Sequence, residues 1–290
     1  MKILVTGREG QVARSLAERN SAHELVFAAR PDFDLADPVG IARTIMDTKP
    51  DLIVSAAAYT AVDQAEDEPE LARLINGTAP GHIGRAAADI GAAVLHLSTD
   101  YVFDGSGEQA WREDDPTGPI GVYGATKLAG EEALAMSGAT YAILRTAWVY
   151  SPFGNNFVKT MLRLAESRDA LNVVHDQFGN PTSALDIADA LLAVADCWSK
   201  DPDRGANETY HFAGTGSTSW ADFARAIFAE SAQHGGPSCA VTGIPASEYP
   251  TKAARPANSR LDSAKFAETF GHSAPRWQDS LSETVARLLG

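Results

Sequence analysis

Residues 51–58, Asp51-Leu52-Ile53-Val54-Ser55-Ala56-Ala57-Ala58, form an apolar run with no alternation between faces. A strand with one wet face alternates, so an unbroken run of this kind requires burial on both faces, as in a parallel sheet covered by helices. Runs of the same character recur at Lys2–Thr6, Glu24–Ala28, residues 92–97 and Tyr141–Thr146, and helical stretches separate them. Strand–helix units in series specify an α/β fold, a doubly wound parallel sheet with right-handed crossovers.

The first unit passes from its strand into Gly7-Arg8-Glu9-Gly10-Gln11-Val12-Ala13 and an amphipathic helix. Gly7 and Gly10 allow a tight turn and close approach of the backbone to a ligand. The free N–H groups of the next helix, opening at Gln11 and Val12, suit a phosphate. Ala13 stands where a third small residue lets helix and strand pack. About twenty residues beyond such glycines a dinucleotide's adenosine ribose is read, by an acid for a 2′-hydroxyl or an arginine for a 2′-phosphate. Arg30 occupies that place without an adjacent acid, which favours NADP over NAD; its other reading is a cation solvating a strand end. Asp34-Leu35 reads as the close of a short strand that could hold the adenine, and Asp37-Pro38 as N-cap and first helical residue. Ala57 and Ala58, followed by Tyr59, would let a flat cofactor lie across the end of the third strand. The acidic stretch 63–70 reads as a solvated helix start, leading into a helix to about Ile90 with a kink at Pro80.

The run at 92–97 delivers Ser98-Thr99-Asp100-Tyr101-Val102-Phe103 to its carboxyl end, where open parallel sheets bind their ligands. Thr99 is placed to donate a hydrogen bond to a carbonyl oxygen; the other reading of Ser98-Thr99-Asp100 is a turn or helix cap. Residues 108–119 read as a polar loop shielding the pocket. Tyr123 and Lys127 then lie four apart, one helical turn, and share a face. A phenol titrates near pH ~10, and a neighbouring ammonium stabilises its anion. The pair could therefore protonate a ketone oxygen as hydride arrives at the carbon. Taken alone, Tyr-x-x-x-Lys could be a chance surface pair.

Past Trp148 the regularity weakens. A helix is expected from Asn155 to about Ser167, a strand at 171–175 and an apolar-striped helix over 181–198. Two more helices should open near Ser219 and at Asp262, with Arg255 and Arg260 in a polar loop between. Residues 1–149 read as a dinucleotide-binding domain. Residues 150–290 read as a smaller substrate-binding portion, discontinuous because segments such as Tyr210 to Phe212 return to the main sheet.

A net charge of −14 over 290 residues argues against nucleic acid or an anionic membrane as the main partner. The apolar start is too short for a signal peptide or a span, which reads as a cytoplasmic protein. Cys197 and Cys239 make neither a disulfide framework nor a zinc spacing. His82, His96, His175 and His211 sit singly on apolar stretches and read as packing residues, so no metal is expected. No Gly-x-Ser-x-Gly elbow or phosphate-loop lysine motif is present, which disfavours a serine hydrolase or a nucleotide triphosphatase.

Gly7-x-x-Gly10-x-x-Ala13, Ser98 to Phe103 and Tyr123-x-x-x-Lys127 together resemble the extended short-chain dehydrogenase/reductases, whose fold is of Rossmann type. Further motifs narrow the resemblance to members that reduce nucleotide-linked keto sugars: Arg145-Thr146-Ala147-Trp148-Val149-Tyr150, Gly154-Asn155-Asn156-Phe157, Asp176-Gln177-Phe178-Gly179-Asn180-Pro181-Thr182 and Arg255-Pro256-Ala257-Asn258-Ser259. The resemblance implies reduction of the C4 ketone of dTDP-4-dehydro-β-L-rhamnose by NADPH. It makes Tyr123 the proton donor, Lys127 its electrostatic partner and ribose anchor, and Thr99 the third catalytic group. Asp100 and Trp148 would contact the deoxysugar, and Asn155 and Arg255 the nucleotide diphosphate. Some relatives dimerise through magnesium held by carboxylates; Ser15 and Leu185 stand at two of those positions, which implies a monomer or weak homodimer without the metal. The regulatory subunit of methionine adenosyltransferase shares the fold and similar motifs without turnover, and nucleotide-sugar epimerases and dehydratases are redox-neutral. The intact Thr99, Tyr123 and Lys127 favour an enzyme over the first, and Arg30 with the short carboxyl-terminal part counts against the second.

Overall fold

The computed structural model describes residues 1–19 and 21–290. The chain opens with β1 (Lys2–Thr6), α1 (Gln11–Glu18), β2 (Glu24–Ala28), α2 (Pro38–Thr48) and β3 (Leu52–Ser55). Short helices α3 (Val62–Ala65) and α4 (Pro69–Ala72) lead through a π-helical turn, Arg73–Thr78, into α5 (Ala79–Ile90). Next come β4 (Ala93–Thr99), α6 (Val122–Ala135) and β5 (Tyr141–Thr146). The remainder comprises β6 (Val149–Tyr150), α7 (Phe157–Ala165), β7 (Ala170–Val174), β8 (Phe178–Gly179), β9 (Thr182–Ser183), α8 (Ala184–Trp198) and β10 (Glu208–His211). It ends with β11 (Thr218–Ser219), α9 (Trp220–Gln233), β12 (Ala240–Ile244), β13 (Asn258–Ser259), α10 (Ala264–Phe270) and α11 (Trp277–Leu289).

Six strands form the central sheet in the order β10-β5-β4-β3-β1-β2, and every neighbouring pair is parallel. Side chains alternate across it. Ile3, Val5, Leu52, Val54, Leu95 and Leu97 face one layer, packing on Val12 and Leu16 of α1 and on Ile187, Leu191 and Val194 of α8. Leu4, Ile53, Val94 and Ile143 face the other, against Ile41 and Ile45 of α2, Ile83 of α5 and Leu134 of α6. Both faces are thus dry, which is why the strand sequences carry no polar alternation. A third core, with Val158, Leu171, Phe223, Ile227, Leu281 and Val285, gathers α7, β7, α9 and α11 beside the sheet.

Asp37 caps α2 by accepting from Val39 N at 3.1 Å, with Pro38 in the first turn, as its sequence predicts. Asp34 and Leu35 belong to no strand: Asp34 turns back to accept from Ala36 N at 2.9 Å, so the side chain shapes a tight local turn instead. Pro80 lies inside a helical run that continues unbroken from Pro69 through the π turn into α5, and the irregularity it imposes falls immediately before it, in that π turn. Asn156 rather than Asn155 caps α7. The helix expected from Asp262 is divided, because Gly271 ends α10 in the left-handed conformation before α11 begins. Strand β12, which no alternation announced, pairs with β7. Among the described residues no helix is long and apolar enough to cross a membrane.

Candidate active site at the strand ends

Gly7 turns the chain off β1 with φ +92°, a conformation open to glycine at little cost, and it lies against Ala57. Gly10 precedes α1, and among the described residues no side chain caps the helix, so its first N–H groups can meet an anion. Thr6 Oγ1 accepts from both Ala56 N and Ala57 N at 3.0 Å, which holds the ends of β1 and β3 side by side. Ala57, Ala58 and Tyr59 follow as a partly buried floor. Asn76, in the π turn, clamps that floor: its Oδ1 accepts from Tyr59 N at 2.8 Å and its Nδ2 donates to Tyr59 O at 3.0 Å. Arg30 lies exposed just beyond β2. A glycine-lined turn, an uncapped helix start and a cation past the second strand are the donor set and open space that a phosphorylated dinucleotide needs.

The Gln11 side chain is engaged within the fold. Its Oε1 accepts from Ser151 Oγ at 2.8 Å and Asn156 Nδ2 at 3.1 Å, so the side chain ties α1 to the loop before α7. Its backbone N–H and that of Val12 remain at the helix start, with Val12 buried in the core. Asn155 is exposed.

Thr99 closes β4, and Asp100 begins the turn behind it. Thr99 Oγ1 donates to Asp100 Oδ1 at 2.9 Å, while Asp100 Oδ2 is buried without a hydrogen bond of good geometry among the described residues. Burial pushes the Asp100 carboxyl up to about 6, against the pull of the Ser259 and Thr99 hydroxyls. Tyr123 lies in the first turn of α6, which Glu66 caps by accepting from Val122 N at 2.8 Å. Its ring meets Tyr101 edge-on at 5.5 Å. Burial, then the Asp100 charge, raise the Tyr123 phenol, and hydrogen bonding with Thr99 opposes them. The phenol therefore holds its proton at neutral pH, as a proton donor must.

Lys127 is buried under the site, donating to Leu97 O at 2.6 Å and lying 3.3 Å from His96 Nε2. Desolvation lowers its ammonium to about 8, opposed by Glu131. Glu131 itself is buried on α6 and grips Arg145 of β5 at 2.6 Å, and Ser98 also donates to it. The Arg145 guanidinium lies 5.1 Å from the Phe103 ring centre.

Trp148 has φ +50°, uncommon for any residue with a Cβ. The strain aims its indole onto Trp220, with ring centres 3.5 Å apart and planes 8° from parallel. Gly179 backs the indole from β8: a Cβ there would sit 2.5 Å from Trp148 Cε2. Gly179→Ala is expected to force the indole off its stack and to cost about 1–3 kcal/mol of stability through overpacking. Denaturant unfolding checks it, and wild-type stability would count against a fixed indole.

Arg255 reaches the cleft in company. It pairs with Asp63 at 2.6 Å and lies 3.5 Å from the Tyr101 hydroxyl. Ala253 N also donates to Asp63, and Lys252 pairs with Asp67. The acidic stretch is thus partly a docking edge for the 252–255 loop rather than a freely solvated helix start. Of the histidines, His96 and His211 are buried, whereas His175 is exposed and His82 bonds Arg85 near the surface.

Thr99, Asp100, Tyr123 and Lys127 come together; Trp148 and Arg255 approach from the second half of the chain. Asn76, His96, Glu131, Arg145, Gly179 and Trp220 support them without having been singled out as site residues, and only a buried partner distinguishes such residues from surface ones.

The family described as the RmlD substrate binding domain matches residues 1–289. A dTDP-4-dehydrorhamnose reductase of Sinorhizobium fredii is 47% identical over 290 residues, covering 100% of this chain and 98% of that protein. The crystal structure of a dTDP-4-dehydrorhamnose reductase from Clostridium acetobutylicum superposes with a TM-score of 0.91 at 36% identity, over 99% of each chain. That of the Bacillus anthracis reductase in complex with NADP gives 0.90 at 32% identity, again over 99% of each.

Proposed function

The chain belongs to the family of the RmlD substrate binding domain and of the dTDP-4-dehydrorhamnose reductases, and from that premise we propose that it reduces the C4 ketone of dTDP-4-dehydro-β-L-rhamnose with NADPH. It is an NAD(P)-dependent oxidoreductase, as its curated relatives are. The observation that carries the finer reading is the convergence of a protonated phenol, a buried ammonium and the Thr99–Asp100 pair at the carboxyl end of β4.

In this reading residues 1–149 hold the dinucleotide and residues 150–290 wall in the sugar nucleotide, with β10 and α8 built into the first layer. The Gly7–Gly10 turn and the start of α1 take the pyrophosphate, Arg30 the 2′-phosphate, and Ala57, Ala58 and Tyr59 the flat face of the cofactor. Asp34 and Leu35 flank the adenine from their turn. When bound, the reduced nicotinamide supplies hydride to the carbonyl carbon.

Negative charge then grows on the ketone oxygen, and the chain's own groups meet it. Thr99 Oγ1 turns from Asp100 to donate to that oxygen, and Tyr123 donates its phenolic proton. Lys127 lies one turn along α6, and its charge offsets the phenolate left behind. Asp100, ionised above about pH 6, accepts from a sugar hydroxyl. Trp148 covers the deoxysugar, and Arg255 exchanges part of its contact with Asp63 for the diphosphate. Asn155, on the rim, adds a polar contact to the same group.

The test is direct. Purified protein mixed with NADPH should oxidise it when the keto-sugar nucleotide is added, followed by loss of absorbance of the reduced nicotinamide, with a dTDP-linked 6-deoxyhexose as product. No oxidation at saturating substrate would overturn the assignment, and protein that retains tightly bound NAD and interconverts sugars without net redox would point to an epimerase.

A further inference from the structure

We propose that His96 is a positioning residue for Lys127: its imidazole, braced by Ser55, accepts one ammonium proton and so fixes the direction of the others. The role rests on the catalytic reading of Lys127, while the geometry stands by itself. His96 is 1% exposed and Lys127 2%. His96 Nε2 lies 3.3 Å from Lys127 Nζ, and His96 Nδ1 lies 3.0 Å from Ser55 Oγ.

Donor and acceptor roles follow from chemistry. An ammonium has only donors, so Nε2 must present its lone pair and Nδ1 must carry the ring proton, given to Ser55 Oγ. Protonating the ring would set two cations against each other without water between them. Burial and the Lys127 charge accordingly hold His96 well below the usual histidine range. Leu97 O takes a second ammonium proton at 2.6 Å. With two protons bound to consecutive residues of β4, tetrahedral geometry fixes the direction of the third.

Charges around Lys127 come from several elements. Glu131 on α6 favours the ammonium, but Arg145 on β5 engages that carboxylate at 2.6 Å. Tyr123, one turn back on α6, is neutral at physiological pH. Asp100, beyond the end of β4, is ionised there and acts on Tyr123. His96 is the neutral acceptor in this set. It supports the ammonium without cancelling the charge that Tyr123 needs when it gives up its proton.

The test reads ionisation rather than turnover, so it can fail while the reductase reading survives, and the reverse. Cofactor-free protein carrying isotope-labelled lysine is titrated by NMR, with the Lys127 signal identified by its loss in Lys127→Arg. The wild-type midpoint should fall near 8. His96→Phe, which offers no acceptor, should lower it by about one unit, whereas His96→Gln, whose amide oxygen can accept, should hold it. A His96→Phe midpoint equal to wild type overturns the proposal. Should that variant not fold, labelled histidine in the wild-type protein decides: His96 protonated at Nδ1 and bare at Nε2 supports the role, and the opposite tautomer overturns it.

Discussion

Tyr123→Phe should bind NADPH as tightly as the wild type and turn over about 10²–10⁴-fold more slowly. The substitution removes one oxygen and leaves the ring, so the edge-on contact with Tyr101 survives. Among the described residues the phenol's polar neighbours are Thr99 and Asp100, at the end of β4. In the proposed mechanism the loss is of the proton delivered to the ketone oxygen, a transition-state interaction, so kcat and kcat/KM should fall together. Stopped-flow measurement of NADPH oxidation with a separate binding titration separates the two quantities. Turnover within a few-fold of wild type would remove Tyr123 from the mechanism.

Glu131→Gln should destabilise the fold by about 3–5 kcal/mol, the usual cost of leaving a buried charge without its partner. Arg145 and Glu131 are only 6% and 5% exposed at the side chain, so the guanidinium would remain in a dry site facing a neutral amide. The guanidinium already has one nitrogen, Nη1, without a partner among the described residues, which leaves it little means of compensation. The pair joins α6 to β5, and α6 carries Tyr123 and Lys127, so the loss should also loosen the site. Denaturant unfolding checks the figure. The double variant Glu131→Gln/Arg145→Met should recover much of the stability, since neither charge is then stranded; equal stability of Glu131→Gln and wild type would mean that the pair does not tie helix to sheet.

The sequence made the sheet readable because burial on both faces writes itself into composition: residues 51–58 have no polar face to show, and β3 proves to be sealed by helices on either side. The glycine turn was legible for a related reason, since few residues tolerate φ +92° at Gly7. Tyr123 and Lys127 could be paired from spacing alone, helices being periodic. Glu131, Arg145 and His96 gave no such sign. A charged or imidazole side chain looks the same in sequence whether it faces water or a partner from a distant strand, and here the partners lie 14 and 31 positions away. Gly179 was equally silent as a support, because its value lies in an indole brought against it by Trp148. Arg255 was singled out by a resemblance, and its anchorage to Asp63 spans 192 positions, beyond the reach of any local pattern. Asp34-Leu35 misled for the opposite reason: an apolar residue beside an acid suggests a strand end, and a side-chain hydrogen bond two residues away made a turn instead.

The edge of the main sheet beside β5 is closed by β10, with Glu208 to His211 in register with Ala142 to Arg145. A ribosome that has released the chain only through β5 presents that edge bare, a row of unpaired amides and carbonyls of the kind that invites another unfinished copy. Until His211 emerges, the nascent protein has no native segment to cover it. Slower synthesis across the intervening residues should therefore lower the yield of folded protein without altering the stability of the folded state.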